Sequence, residues 1–84
     1  MILVTGGTGL VGAHLLFSLC EDHQLCRAIY RNVKGLEAVK KLFISSGDLN
    51  LARYKTIEWV LGDILDLEGL TPVFKGVKTV YHCA

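Results

Sequence analysis

Four short apolar runs alternate with amphipathic stretches along this chain. Residues 2–5, 25–30, 56–61 and 78–83 are rich in Ile, Val, Leu, Thr, Tyr and Trp and have the length of strands. Their near-continuous apolar character suits parallel strands covered on both faces. Between the first two, residues 10–22 set Leu15, Leu16 and Leu19 on one side, with Val11 and Gly12 near the start, and predict a helix. A second helix is predicted over 33–45. There Leu36, Val39, Leu42 and Phe43 share a face, while Lys34, Glu37, Lys40 and Lys41 lie elsewhere. Residues 46–55, with Gly47, Asp48 and Asn50, read as a loop. Asp66 is placed to N-cap a short third helix that ends before Gly76. Pro72 inside it removes a backbone donor, so a kink or a one- to two-turn element is expected.

Strands and helices thus alternate over residues 1–84 as a single unit. Right-handed crossovers then predict an α/β fold with a parallel sheet in the order 3-2-1-4, the first half of a doubly wound sheet. With 84 residues the chain forms one small domain at most, yet 51% of it is hydrophobic. A net charge of +1 argues against a general nucleic-acid surface. No run approaches the roughly 20 apolar residues of a membrane span, and the first residues lack the basic and apolar regions of a signal peptide. Cys20, Cys26 and Cys83 have neither metal-ligand nor redox-motif spacing and read as small buried hydrophobes in a reducing compartment. A cytoplasmic location is the expectation.

The junction of the first strand and first helix, Thr5-Gly6-Gly7-Thr8-Gly9-Leu10-Val11-Gly12, carries the clearest chemistry. Its glycines fit both Gly6-x-x-Gly9-x-x-Gly12 and Gly7-x-Gly9-x-x-Gly12. Either spacing brings backbone N–H groups to a pyrophosphate at a helix N-terminus, where the dipole favours negative charge. Leu10 and Val11 are the candidate N–H donors, and Thr8 is a candidate for a ribose or phosphate oxygen. No Gly-Lys-Ser/Thr follows, which excludes a P-loop.

An acid at the end of the second strand, about 20 residues past the glycines, would accept the ribose hydroxyls of NAD. Here Arg31 occupies that place, and no carboxylate stands between Asp22 and Glu37. A guanidinium can stack on adenine and pair with a 2′-phosphate, so Arg31 favours NADP over NAD, with Lys34 adding charge nearby. The same arginine speaks against a flavin site. Asp63, after the third strand, is a candidate acceptor for the adenine amino group. His82 reads as a packed histidine and His14 as a surface one.

Taken together these segments resemble the N-terminal part of the extended short-chain dehydrogenases/reductases, the NAD(P)-dependent epimerase/dehydratase group. Thr5 to Gly12 matches its T-G-x-x-G-x-x-G, Gly62-Asp63-Ile64 its acidic residue after strand three, and His82-Cys83-Ala84 the start of its H-x-A-A segment. Arg27 and Arg31, placed as in V-R-A-x-x-R, look most like the dihydroflavonol-4-reductase-like branch, which generally uses NADPH.

The resemblance implies a Rossmann-type half-domain, with Gly6, Thr8, Gly9, Leu10, Val11, Gly12, Arg31, Asp63, Ile64 and Ala84 around an NADP cofactor. It further implies hydride transfer to or from a carbonyl or carbinol carbon of a small-molecule substrate. The family's catalytic Ser/Thr and Tyr-x-x-x-Lys are not expected in this segment, and none of Tyr30, Tyr54 and Tyr81 is taken as that tyrosine. The 84 residues alone are therefore expected to be inactive. They are also expected to self-associate through an open fourth strand. The alternative is a regulatory or redox-sensing module that holds NAD(P) without turnover.

Overall fold

The computed structural model describes residues 1–45, 47, 49–63 and 71–83. The elements run β1 (Ile2–Thr5), α1 (Leu10–Glu21), β2 (Cys26–Tyr30), α2 (Val33–Ile44), α3 (Leu49–Lys55) and β3 (Glu58–Leu61), followed by a 3-10 turn at Thr71–Phe74 and β4 (Thr79–His82). The four strands form one sheet in the order β3-β2-β1-β4. Every pairing is parallel, with Val4 opposite Ala28 and Tyr81, and Ala28 opposite Trp59. The fold is thus α/β and Rossmann-like, as the alternation of apolar runs predicts.

Strand alternation sorts the core into two faces. Val4, Cys26 and Ala28 point to the helical side and pack with Ala13, Leu16 and Cys20 of α1 and Val39 and Phe43 of α2. Leu3 and Ile29 point to the other side, where Val73 of the 3-10 turn covers them. Phe43 is fully buried. It joins an edge-to-face series, with Phe17 at 5.2 Å and Tyr54 at 5.7 Å between ring centres, that stitches the three helices together.

Residues 46–55 are not a loop throughout: Leu49–Lys55 is helical. Asn50, whose type suggests a turn, is buried, and its Oδ1 accepts from Arg53 Nη1 one turn on at 2.9 Å. Tyr54 anchors this helix by packing on Phe43 and donating its hydroxyl to Leu36 O of α2. Burial raises the Tyr54 phenol above its usual pKa. The helix end also delays β3. Thr56 and Ile57 donate their N–H groups to Arg53 O and Tyr54 O, so the strand begins at Glu58 rather than 56.

The short element around Pro72 is a single 3-10 turn, and Pro72 lies near its start, where its missing donor has no partner to lose. The proposed cap Asp66 lies outside the described residues. Arg27, on β2, holds this turn from beneath. Its Nη1 donates to Val73 O and, at 2.9 Å, to Lys75 O, while Glu58 stands 3.3 Å from its Nε. Pairing of Arg27 with the chain at 73–75 is a tertiary contact that the sequence does not announce.

Candidate dinucleotide site

The parallel sheet brings the glycine turn, Arg31, Asp63 and His82 to one end. The glycine turn follows β1, Arg31 follows β2, Asp63 follows β3, and His82 closes β4. This carboxyl edge is where open α/β sheets bind ligands.

At the centre, the glycine turn is shaped by two steric demands. Gly6 has φ +69°, in the left-handed region, and its carbonyl accepts from Gly9 N at 3.0 Å. Gly12 lies against that same residue: a Cβ there would sit 2.1 Å from Gly6 O and 2.9 Å from Gly7 Cα. Gly7 is buried under Leu16, Ala28 and Trp59. The geometry therefore selects Gly6-x-x-Gly9-x-x-Gly12 as the turn's working spacing, with Gly7 spent on packing.

The start of α1 is built for an external acceptor. Gly9 is the N-cap and offers no side chain, and the first intrahelical bond is Ala13 N to Gly9 O at 2.9 Å. The N–H groups of Leu10, Val11 and Gly12 precede that bond and have no acceptor within the helix. No acidic side chain sits in the first turn to compete for them. Leu10 and Val11 are 78% and 70% exposed, which leaves their side of the helix end open. Uncapped donors, a positive dipole end and a turn stripped of side chains fit the pyrophosphate of a dinucleotide.

Thr8, half-buried at the tip of the turn, touches α2: a Cβ on Gly35 would come within 2.9 Å of Thr8 Cβ. Gly35 thus lets the first turn of α2 close on the glycine loop, a role that its isolated position in a helical pattern hints at. Asn32 caps that helix, its Oδ1 accepting from Gly35 N at 3.0 Å. Beside this contact, a cavity of about 500 Å³ opens between the start of α1 and α2, and its lining includes Thr8, Leu10, Ala38, Lys41 and Leu42.

Arg31 and Asp63 are brought together, with Arg31 Nη2 3.7 Å from Asp63 Oδ2. Both side chains are substantially exposed, at 74% and 43%, so the pair is loosely held and its guanidinium is available to an incoming anion. Neither residue lines the cavity beside Thr8. The Arg31–Asp63 pair thus stands outside that cavity, after β2 and β3, whereas the glycine turn follows β1. Ile64 and Ala84 lie outside the described residues.

His82 departs from expectation: it is exposed, not packed, because β4 pairs with β1 alone among the described strands. Its Nδ1 shares a hydrogen bond with Thr5 Oγ1, at the root of the glycine turn. His14 is exposed on α1. Against the expectation that no Tyr-x-x-x-Lys falls in this segment, Tyr30 and Lys34 have that spacing. Tyr30, however, ends β2 with its ring against Trp59, whereas Lys34 is exposed in the first turn of α2 beyond the Asn32 cap. The one-turn stacking that an i, i+4 pair gains on a single helix is absent.

Among the described residues, no cluster of three His, Cys, Asp or Glu is placed to hold a metal ion, and no helix is long and apolar enough to cross a membrane.

Residues 2–84 match the sequence model of the NAD dependent epimerase/dehydratase family. The chain is 32% identical, over 83 residues, to a 3-beta-hydroxysteroid dehydrogenase of Mycolicibacterium neoaurum, covering 99% of this chain and 19% of that protein. The crystal structure of isoflavone reductase superposes with a TM-score of 0.73 at 25% identity, covering 99% of this chain and 26% of that one. The chain thus spans well under a third of either protein's length.

Proposed function

The chain belongs to the NAD dependent epimerase/dehydratase family, and on that premise we propose that it forms the cofactor-binding half of an enzyme that transfers hydride between nicotinamide and a carbonyl or carbinol carbon. Membership implies a nicotinamide dinucleotide cofactor and an NAD(P)-dependent oxidoreductase-type domain. The finer assignments rest on the site's geometry. When bound, the nicotinamide supplies the hydride donor or acceptor; the residues of this chain bind and orient the rest of the molecule.

Leu10 and Val11 N–H hold the pyrophosphate. Gly6, Gly9 and Gly12 keep the turn free of side chains, and Thr8 Oγ1 meets a ribose or phosphate oxygen. Arg31 pairs with the 2′-phosphate of NADP, a charge-assisted contact of roughly 1.5–3 kcal/mol. Asp63, which lies beside Arg31, accepts from the adenine amino group and steadies the guanidinium when the 2′-phosphate is absent. Ile64 and Ala84 are assigned to the same site by their motifs. NADP is the preferred cofactor, the parent enzyme a cytoplasmic reductase of the dihydroflavonol-4-reductase-like kind, and its substrate a small molecule held by residues outside this segment. The described residues offer a grip for the adenosine and pyrophosphate and place no acid–base pair beside it, so the 84 residues by themselves are expected to be inactive.

The observation that carries this reading is the close fit of Gly12 under Gly6, which sets an uncapped helix end beside a turn without side chains. Amide NMR tests it. Titration with ADP-ribose is expected to shift the Leu10, Val11 and Gly12 resonances first and furthest. Shifts confined to α2, with those three unmoved, would overturn the assignment.

A further inference from the structure

At the opposite end of the strands, away from the glycine turn, two cysteines meet. Cys20 lies in the last turn of α1 and Cys26 opens β2, joined by the connection 21–25, where His23 takes the left-handed φ of 59°. Both are buried in the same cluster, where each thiol acts on the other's ionisation, and Cys26 Sγ donates to Gln24 O at 3.8 Å. A cavity of about 150 Å³ reaches this point, with a lining that includes Cys20, His23, Arg53 and Thr56 but not Cys26. The order from solvent inward is therefore cavity, Cys20, Cys26. A volume of this size admits several molecules as small as water.

We propose that Cys20 and Cys26 are a reversible dithiol–disulfide site, oxidised by a small peroxide that enters through this cavity. The surroundings divide the labour between the two sulfurs. Interaction with Cys26, the Thr56 hydroxyl and the Arg53 charge outweigh burial and hold the Cys20 thiol below its usual pKa. Its interaction with Cys20, together with burial, pushes the Cys26 thiol up, so it stays protonated, with its Sγ donating to Gln24 O at 3.8 Å. Cys20, the sulfur with access, is also the one whose ionisation the surroundings favour.

The reaction balances with hydrogen peroxide as oxidant. Cys20 thiolate attacks one peroxide oxygen, the O–O bond breaks, and the departing hydroxide takes a proton to become water, leaving Cys20 as a sulfenic acid. Cys26 sulfur then attacks the Cys20 sulfur and loses its proton. The S–O bond breaks and a second water leaves. Two thiols have given up two electrons and two protons, and the peroxide has become two waters. A dithiol reductant reverses the bond by exchange. The bridge would tie α1, whose far end carries the uncapped N–H groups, to β2, whose far end leads to Arg31.

The test exposes the folded protein to hydrogen peroxide, alkylates remaining thiols, and maps the cysteines by mass spectrometry, with Trp59 fluorescence reporting that the fold is kept. Loss of two of the chain's three alkylatable thiols is expected, with a Cys20–Cys26 linked peptide, alkylated Cys83, and full recovery after dithiothreitol. Cys26→Ser should let dimedone trap a sulfenic acid on Cys20. The wild-type measurement stands by itself if that variant does not fold. The proposal is overturned by Cys20 running on to sulfinic acid beside a free Cys26, by Cys83-linked dimers as the main product, or by thiols that react only once Trp59 reports unfolding.

Discussion

Replacement of Gly12 by alanine puts the construction of the phosphate-binding turn under the hardest test. The added Cβ would lie 2.1 Å from Gly6 O, 2.8 Å from Gly6 C and 2.9 Å from Gly7 Cα. Ordinary carbon contacts are about 3.5–4.0 Å, and all three neighbours are backbone, so no rotamer relieves the clash. Helix and turn must part instead. Overpacking of this kind costs about 1–3 kcal/mol, and the backbone neighbours put Gly12→Ala at the upper end. Alanine's helix propensity returns about 1 kcal/mol. A net loss of about 2 kcal/mol is expected, a large fraction of the roughly 4–12 kcal/mol that holds a domain of this length together.

Urea unfolding followed by Trp59 fluorescence measures the loss directly, and a fall in midpoint of about 1 M or more is expected. Dinucleotide affinity should fall about 10-fold or more, because the displaced turn forfeits at least one charge-assisted N–H contact. Gly9→Ala is the control. Its Cβ would meet only Gly6 O, at 3.4 Å, and φ of −77° suits any residue. That variant should keep its stability within about 0.5 kcal/mol. If Gly12→Ala is as stable as Gly9→Ala, or binds dinucleotide as wild type does, the steric reasoning is wrong.

Arg31→Asp should turn preference from NADP toward NAD by about 10-fold or more, because it replaces the 2′-phosphate's partner with a second carboxylate beside Asp63. Paired titrations with the two cofactors give the ratio, and an unchanged ratio removes Arg31 from the site. Arg27→Ala should destabilise by about 2 kcal/mol in urea, since Val73 O and Lys75 O both lose their donor while the exposed Glu58 contributes little. A loss below about 0.5 kcal/mol would show that the 3-10 turn holds without it. The 84 residues expressed alone should self-associate through the outer edge of β4, where Val80 and Tyr81 are exposed. Sedimentation at micromolar concentration that shows one 9.2 kDa species with no concentration dependence would refute this.

Much of the architecture follows from local pattern. β1 has its expected bounds, and α1, α2 and β2 differ from them by a residue, because each combines a clear apolar period with a punctuating turn. α3 was not legible. Two turns are too few to display a helical period, and Gly47 and Asn50 are turn formers by type; only the docking of Tyr54 against Phe43 and Leu36 shows why the segment winds. The glycine spacing was legible as a phosphate motif but not as a choice between Gly6 and Gly7, which depends on Leu16, Ala28 and Trp59 closing over Gly7. Nor does local pattern reveal Arg31 reaching Asp63, Gly35 admitting Thr8, or Cys20 meeting Cys26. These contacts arise only when distant strands and helices are set side by side.

Calorimetric titration of the protein with NADPH tests the central claim most directly. One saturable site per chain is expected, tighter for NADPH than for NADH, competed by 2′-phospho-ADP-ribose and weakened by Gly12→Ala. A protein that unfolds cooperatively in urea yet takes up neither dinucleotide would contradict it.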